Sequence, residues 1–112
     1  MLGKLKENAS AKALAVIEPL VATQLEKLAQ LPPATVRDDA SFRSKFVSPS
    51  ILAVAAASGG ATALVPGFNQ RIEGLLFRLR DELVVEKEGR LALVDDYRAR
   101  LPELVRAMLK GN

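Results

Sequence analysis

The chain has 112 residues, 49% of them hydrophobic and 26% charged, with 16 Lys+Arg against 13 Asp+Glu and a net charge of +3. That length suits one domain with a single core, and the composition is that of a folded soluble chain, not a disordered one. Cys and His are both absent, which excludes disulfides and thiolate metal sites and removes the commonest general base and transition-metal ligand.

Aromatic residues make up 4% of the chain and Trp is missing. The core must then come from Leu, Val, Ile and Ala, a set that suits helix packed on helix. Lys4 and Lys6 resemble the charged start of a signal peptide. However, Glu7, Asn8, Ser10 and Lys12 interrupt any apolar run, and Glu18-Pro19 closes the next one. Secretion is not expected, and the cytoplasm is the default location.

Residues 1–31 read as one long helix. Leu14, Ile17, Val21, Leu25 and Leu28 recur at three- and four-residue steps and share a face. Pro19 should kink this helix, because proline removes a hydrogen bond and crowds the preceding turn. Leu31-Pro32-Pro33 ends it. Residues 32–47 form a connector in which Asp38 or Asp39 can cap a short helix bearing Phe42 and Phe46, four apart on one face. Arg37, Arg43 and Lys45 make this connector locally basic.

Residues 48–66 are the least ordinary part. From Ser50 to Pro66, SILAVAAASGGATALVP, there is no charge, while both flanks are rich in Lys, Arg, Asp and Glu. Ser48-Pro49 reads as a helix start, and Gly59-Gly60 as a break or sharp bend. The small residues Ala53, Ala56, Gly60 and Ala63 would let another backbone approach closely. The stretch is therefore expected to be the packing axis of the fold. Gly60→Leu is expected to destabilise by about 1–3 kcal/mol through overpacking. At seventeen residues, and diluted by alanine, it falls short of the roughly twenty apolar residues of a membrane span.

Residues 68–110 hold the C-terminal helices. Pro66-Gly67 makes a turn, and an amphipathic helix follows with Ile72, Leu75, Leu76, Leu79 and Leu83 inward. Gly89 is read as the left-handed cap that closes it. A β-hairpin near 83–94 is the alternative, since Val84 and Val85 favour strand. The last helix carries Val94, Tyr97, Leu101, Leu104, Val105 and Met108 at helical spacing, with Pro102 inside and Lys110-Gly111 at its end.

Few residues point to chemistry. Asp38-Asp39 and Asp95-Asp96 are the adjacent carboxylate pairs, but neighbours on a helix diverge by about 100°, so capping and solvation explain them better. Ser58-Gly59-Gly60-Ala61-Thr62 lacks both the Lys-Ser/Thr ending of a P-loop and dinucleotide-type glycine spacing. Arg71, Arg78, Arg80, Arg90, Arg98, Arg100 and Arg106 suit phosphate or carboxylate recognition. Eight acidic residues in the same segment nearly cancel them, and nucleic-acid binding is disfavoured.

The fold expected from these patterns is all-α, a small bundle of four to five helices with a central Ala/Gly-rich helical hairpin; α+β with a short β-hairpin near 83–94 is the alternative. No catalytic residue, cofactor or metal is expected. The chain reads as a non-enzymatic helical interaction or self-association module, a homo-oligomer or the partner of another protein. Its packing and interface candidates are Ala53, Ala56, Gly60, Ala63, Ile72, Leu76 and Leu79. A peripheral membrane protein using residues 50–66, or a bundle with a small apolar ligand pocket, are the competing readings.

Overall fold

The computed structural model describes the backbone of residues 2–110 and, within it, the side chains of residues 12–110 apart from position 64. The expectations placed on Lys4, Lys6 and Gly111 lie outside those described residues. Helix α1, Leu2–Leu28, is the longest element. Ala13, Ile17, Val21, Leu25 and Leu28 form a fully buried stripe along it, as three- and four-residue spacing requires. Pro19 sits on the exposed side, and the helix runs unbroken through it. The Thr23 hydroxyl donates to the Pro19 carbonyl at 3.1 Å.

Pro32-Pro33 then starts a short helix, α2, Pro33–Arg37. Asp38 caps the next, α3, Asp39–Phe42, by accepting from the Ser41 N–H at 2.9 Å. The chain does not leave helical geometry after that. A π-helical segment, Arg43–Val47, leads directly into α4, Ser48–Ala57.

Ser48 is therefore not a helix start. Its N–H reaches back five residues to the Arg43 carbonyl. Proline at 49 cannot donate to the carbonyl four residues earlier and would collide with it. Widening one turn to π geometry relieves that collision and lets the helix continue.

At Gly59-Gly60 the chain breaks, with φ of 63° and 95°. A four-residue 3-10 turn, Ala61–Leu64, follows and packs against α1. Helix α5, Phe68–Leu83, buries Phe68, Ile72, Leu75, Leu76, Leu79 and Leu83. The last five are the inward residues expected from the sequence.

After Leu83 the chain turns to strand instead of running on to a cap at Gly89. Strands β1, Val84–Lys87, and β2, Arg90–Leu93, pair antiparallel with Val84 opposite Leu93 and Lys87 opposite Arg90. Glu88 and Gly89 turn between them, both left-handed at φ 54° and 76°, as a two-residue hairpin connection requires. Gly89 is left-handed, but it serves a hairpin and not a helix end. Burial grades along the ribbon instead of alternating: the base is half-buried and the tip exposed. That is why the apolar pattern gave only a weak strand signal.

Helix α6, Tyr97–Lys110, closes the bundle by packing on α1 and α5 with Leu101, Leu104, Val105 and Met108. The result is a small helical bundle with one β-hairpin at its side. Its centre is filled by large aliphatic groups from α1, α5 and α6. Burial stabilises by about 25 cal/mol per Å² of apolar surface, so Leu and Ile gain more from the central positions than Ala does.

The uncharged stretch is therefore not the packing axis. Only Ser50, Val54, Ser58 and Val65 of it are buried among the described side chains. Ala53, Ala56, Gly60 and Ala63 are exposed. A Cβ added at Gly60 would meet nothing within 4 Å, so overpacking cannot be what Gly60→Leu does.

Candidate interaction surface

Helix α4 turns Ser50 and Val54 inward and Ser48, Pro49, Leu52, Ala53, Ala56 and Ala57 outward. Positions 49, 52, 53 and 56 fall on one face at 100° per residue. Among the described residues, Leu52 is 72% exposed, far more than the next large exposed aliphatic, Val16, at 38%. Its neighbours on that face are small, so an approaching surface meets one protruding side chain on a smooth, uncharged helix. Acidic groups do not interrupt it: no Asp or Glu lies between Asp39 and Glu73.

The inner side of α4 is held partly by polar contacts. Ser50 Oγ donates to Gln24 Oε1 of α1 at 3.0 Å, with the two residues 2% and 7% exposed. Ser58 Oγ donates to the Ala55 carbonyl at 3.0 Å. Both bonds satisfy buried hydroxyls, and the Ser50–Gln24 bond, which ties α4 to α1, helps to fix which face of α4 looks outward.

The seven interface and packing candidates thus divide into two sets. Ile72, Leu76 and Leu79 are fully buried in the core, where they cannot meet a partner. Ala53, Ala56, Gly60 and Ala63 are open to solvent, and Leu52, which spacing alone did not single out, stands beside Ala53. Nothing in the spacing marked Leu52, because the uncharged stretch offers no polar contrast from which a helix phase could be read.

A second cluster joins the connector to α5. Phe42 stacks on Phe46 with centroids 5.2 Å apart, and meets Phe77 edge-on at 5.1 Å. The Arg80 guanidinium lies 5.0 Å from the Phe42 centroid and 4.9 Å from that of Phe77, favourable cation–π geometry. It donates to Asp39 Oδ1 at 2.6 Å and Asp81 Oδ1 at 2.8 Å. Partial burial works to lower its pKa, but the hydrogen bonds and charges of Asp81 and Asp39 prevail and hold it above the ordinary value. The Arg43 guanidinium also lies against Phe77, 5.3 Å from its centroid, and pairs with Glu73 at 2.9 Å.

Most of the arginines that suggested anion recognition are thus committed within the chain. Arg37 forks onto Glu86 of the hairpin through two bonds. Arg78 and Arg100 share Glu82, and Arg71 donates to the Leu109 carbonyl at 3.1 Å near the end of α6. Of the paired acids, Asp38 is a cap and Asp39 an Arg80 partner, while Asp95 and Asp96 are exposed before α6. Among the described residues, no three acidic side chains gather into a group that could hold a metal ion.

A shallow, open depression lined by Thr62, Ala63, Gly67, Phe68, Asn69 and Gln70 adjoins the uncharged stretch. It offers no enclosed chamber for an apolar ligand. Among the described residues, no helix is long and apolar enough to cross a membrane. No protein-family model matches this sequence, and neither a curated protein nor a solved structure matches it.

Proposed function

We propose that this chain is a non-enzymatic helical interaction module that associates with a second copy of itself, in the cytoplasm, through the outer face of α4. The observation that carries the reading is Leu52, 72% exposed on a helix face without charge. Solvating such a side chain costs free energy that burial against another apolar surface recovers, on the order of 1.5–3 kcal/mol for a leucine. The face is short, about 15 Å for ten residues, so it supports a weak, concentration-dependent contact and not an obligate dimer. Small residues at 53 and 56 would let two α4 helices approach closely.

Light scattering after size exclusion, across a broad concentration series, tests this reading. The average mass should rise above 12.1 kDa at high concentration in the wild type. A mass fixed at the monomer value throughout would remove the proposal.

The same uncharged, acid-free face favours one other occupant, a lipid surface. Flotation with anionic vesicles separates the two readings. Co-migration at low salt together with a strictly monomeric soluble form would replace self-association with peripheral membrane binding.

A further inference from the structure

We infer that Pro49, through the π turn it imposes, is the positioning residue that holds Leu52 outward on α4. The inference draws its functional weight from self-association through that face, but the geometry it explains is that of a single chain.

The first support is phase. Helical backbone is continuous from Asp39 to Ala57, and the buried Phe42 and Phe46 mark its inward side at one end. Carried on from Phe42 at 100° per residue, Pro49, Ala53 and Ala56 would return to within about 40° of that inward direction, and Val54 would stand about 120° away. The structure shows the reverse. Ser50 and Val54 are buried, whereas Pro49, Leu52, Ala53 and Ala56 are exposed. One surplus residue in the helix accounts for the difference. Taking back one residue's rotation brings Ser50 and Val54 to about 20° from the inward direction and sends Leu52 to about 180°. The π turn over Arg43–Val47, where the Ser48 N–H reaches back to the Arg43 carbonyl, is where that residue is absorbed. The Ser50–Gln24 bond belongs to the shifted phase.

The second support is the place and the exposure of Pro49. Turns of π geometry are rare in helices and have a local cause. Here the cause follows at once. An α-helical residue 49 would donate its N–H to the Lys45 carbonyl, and proline both lacks that donor and collides with that oxygen. Pro49 is itself exposed, so it acts on the backbone and not by filling the core. Alanine in its place gives up little packing and restores the donor.

The chain has no Cys, so thiol labelling reads the phase of α4 directly. Single thiols are introduced as Leu52→Cys or Val54→Cys, each with Pro49 kept or with Pro49→Ala. Their rates of reaction with a maleimide are followed on dilute, monomeric protein. With proline, the thiol at position 52 should react fast and that at 54 slowly. With Pro49→Ala, the thiol at 54 should react at least about tenfold faster while that at 52 slows, whereas loss of structure would speed both. Deleting the exposed Ser44 from the Pro49→Ala chain removes the surplus residue. An ordinary α-helix then arrives in the native phase, and the native labelling pattern should return.

A thiol at 54 that stays protected in Pro49→Ala would overturn the assignment, since packing and not proline would then hold the turn. If both positions react fast in that variant, the deletion decides: return of the native pattern supports the role of Pro49, and any other pattern overturns it. A wild type that stays monomeric in light scattering while the labelling follows the expected pattern would remove docking by α4 and leave the assignment of Pro49 in place.

Discussion

Gly60 takes φ of 95° with open space where a side chain would stand. A residue with a Cβ pays about 1–2 kcal/mol for that backbone conformation, whatever its size. Gly60→Ala and Gly60→Leu should therefore lower the stability of the monomer by nearly equal amounts in chemical denaturation at low concentration. A leucine variant much worse than the alanine one would mean that this position is packed. Asp38 gives a second test at the same scale. The Ser41 N–H, and then the Ser41 side chain, hold its carboxyl below the ordinary 3.8. Because the folded value is the lower one, the cap contributes fully above about pH 4 and its contribution is lost as pH falls through the folded pKa. The melting-temperature gap between wild type and Asp38→Ala should be present at pH 7 and shrink in strong acid. A gap of unchanged size there would mean that the charge of the cap does not matter.

Helix α4 touches the core through a narrow line, and one of its contacts is the buried Ser50–Gln24 bond. Removing one partner from a buried pair leaves the other desolvated and unmatched, at about 1–3 kcal/mol, while removing both costs less. Gln24→Leu should thus be more harmful than Gln24→Leu/Ser50→Ala, and a double-mutant cycle should return a coupling near 1 kcal/mol. Strict additivity would show that the bond does not anchor α4. The long helices were legible in the sequence because Leu and Ile alternate there with charge at helical spacing. Ile17 to Leu28, Ile72 to Leu83 and Leu101 to Met108 all face the core as their phase demands. Helix α4 has no such contrast. With Ala, Val, Leu and Ser on every side, its sequence carries no phase, and the burial of Val54 in place of Ala53 or Ala56 could not be read from it. The hairpin was hidden for a different reason, since its burial runs along the strands and not across them. The pairing of Arg37 with Glu86 and of Arg80 with Asp39 joins residues more than forty positions apart, and local spacing holds no record of that.

Across the whole molecule, charge and apolar surface are distributed unevenly. In the C-terminal half, Arg71, Arg78, Arg80 and Arg100 are engaged by carboxylates or a backbone carbonyl, while Arg90, Arg98 and Arg106 are exposed among acidic neighbours in sequence. The unusual surface is the uncharged one, where Leu52 protrudes beside Pro49, Ala53 and Ala56. Since Leu52 makes no buried contact, replacing it with glutamate should change the stability of the monomer by no more than about 0.5 kcal/mol, yet it sets a charge in the middle of any apolar contact made by that face. The decisive measurement is light scattering on wild type and Leu52→Glu over the same concentration series. The wild-type mass should climb from 12.1 kDa toward twice that value, while Leu52→Glu, equally helical by circular dichroism, associates at least tenfold more weakly. A wild type that stays monomeric at every concentration, or a glutamate variant that associates as well as the wild type, would contradict a docking role for the outer face of α4.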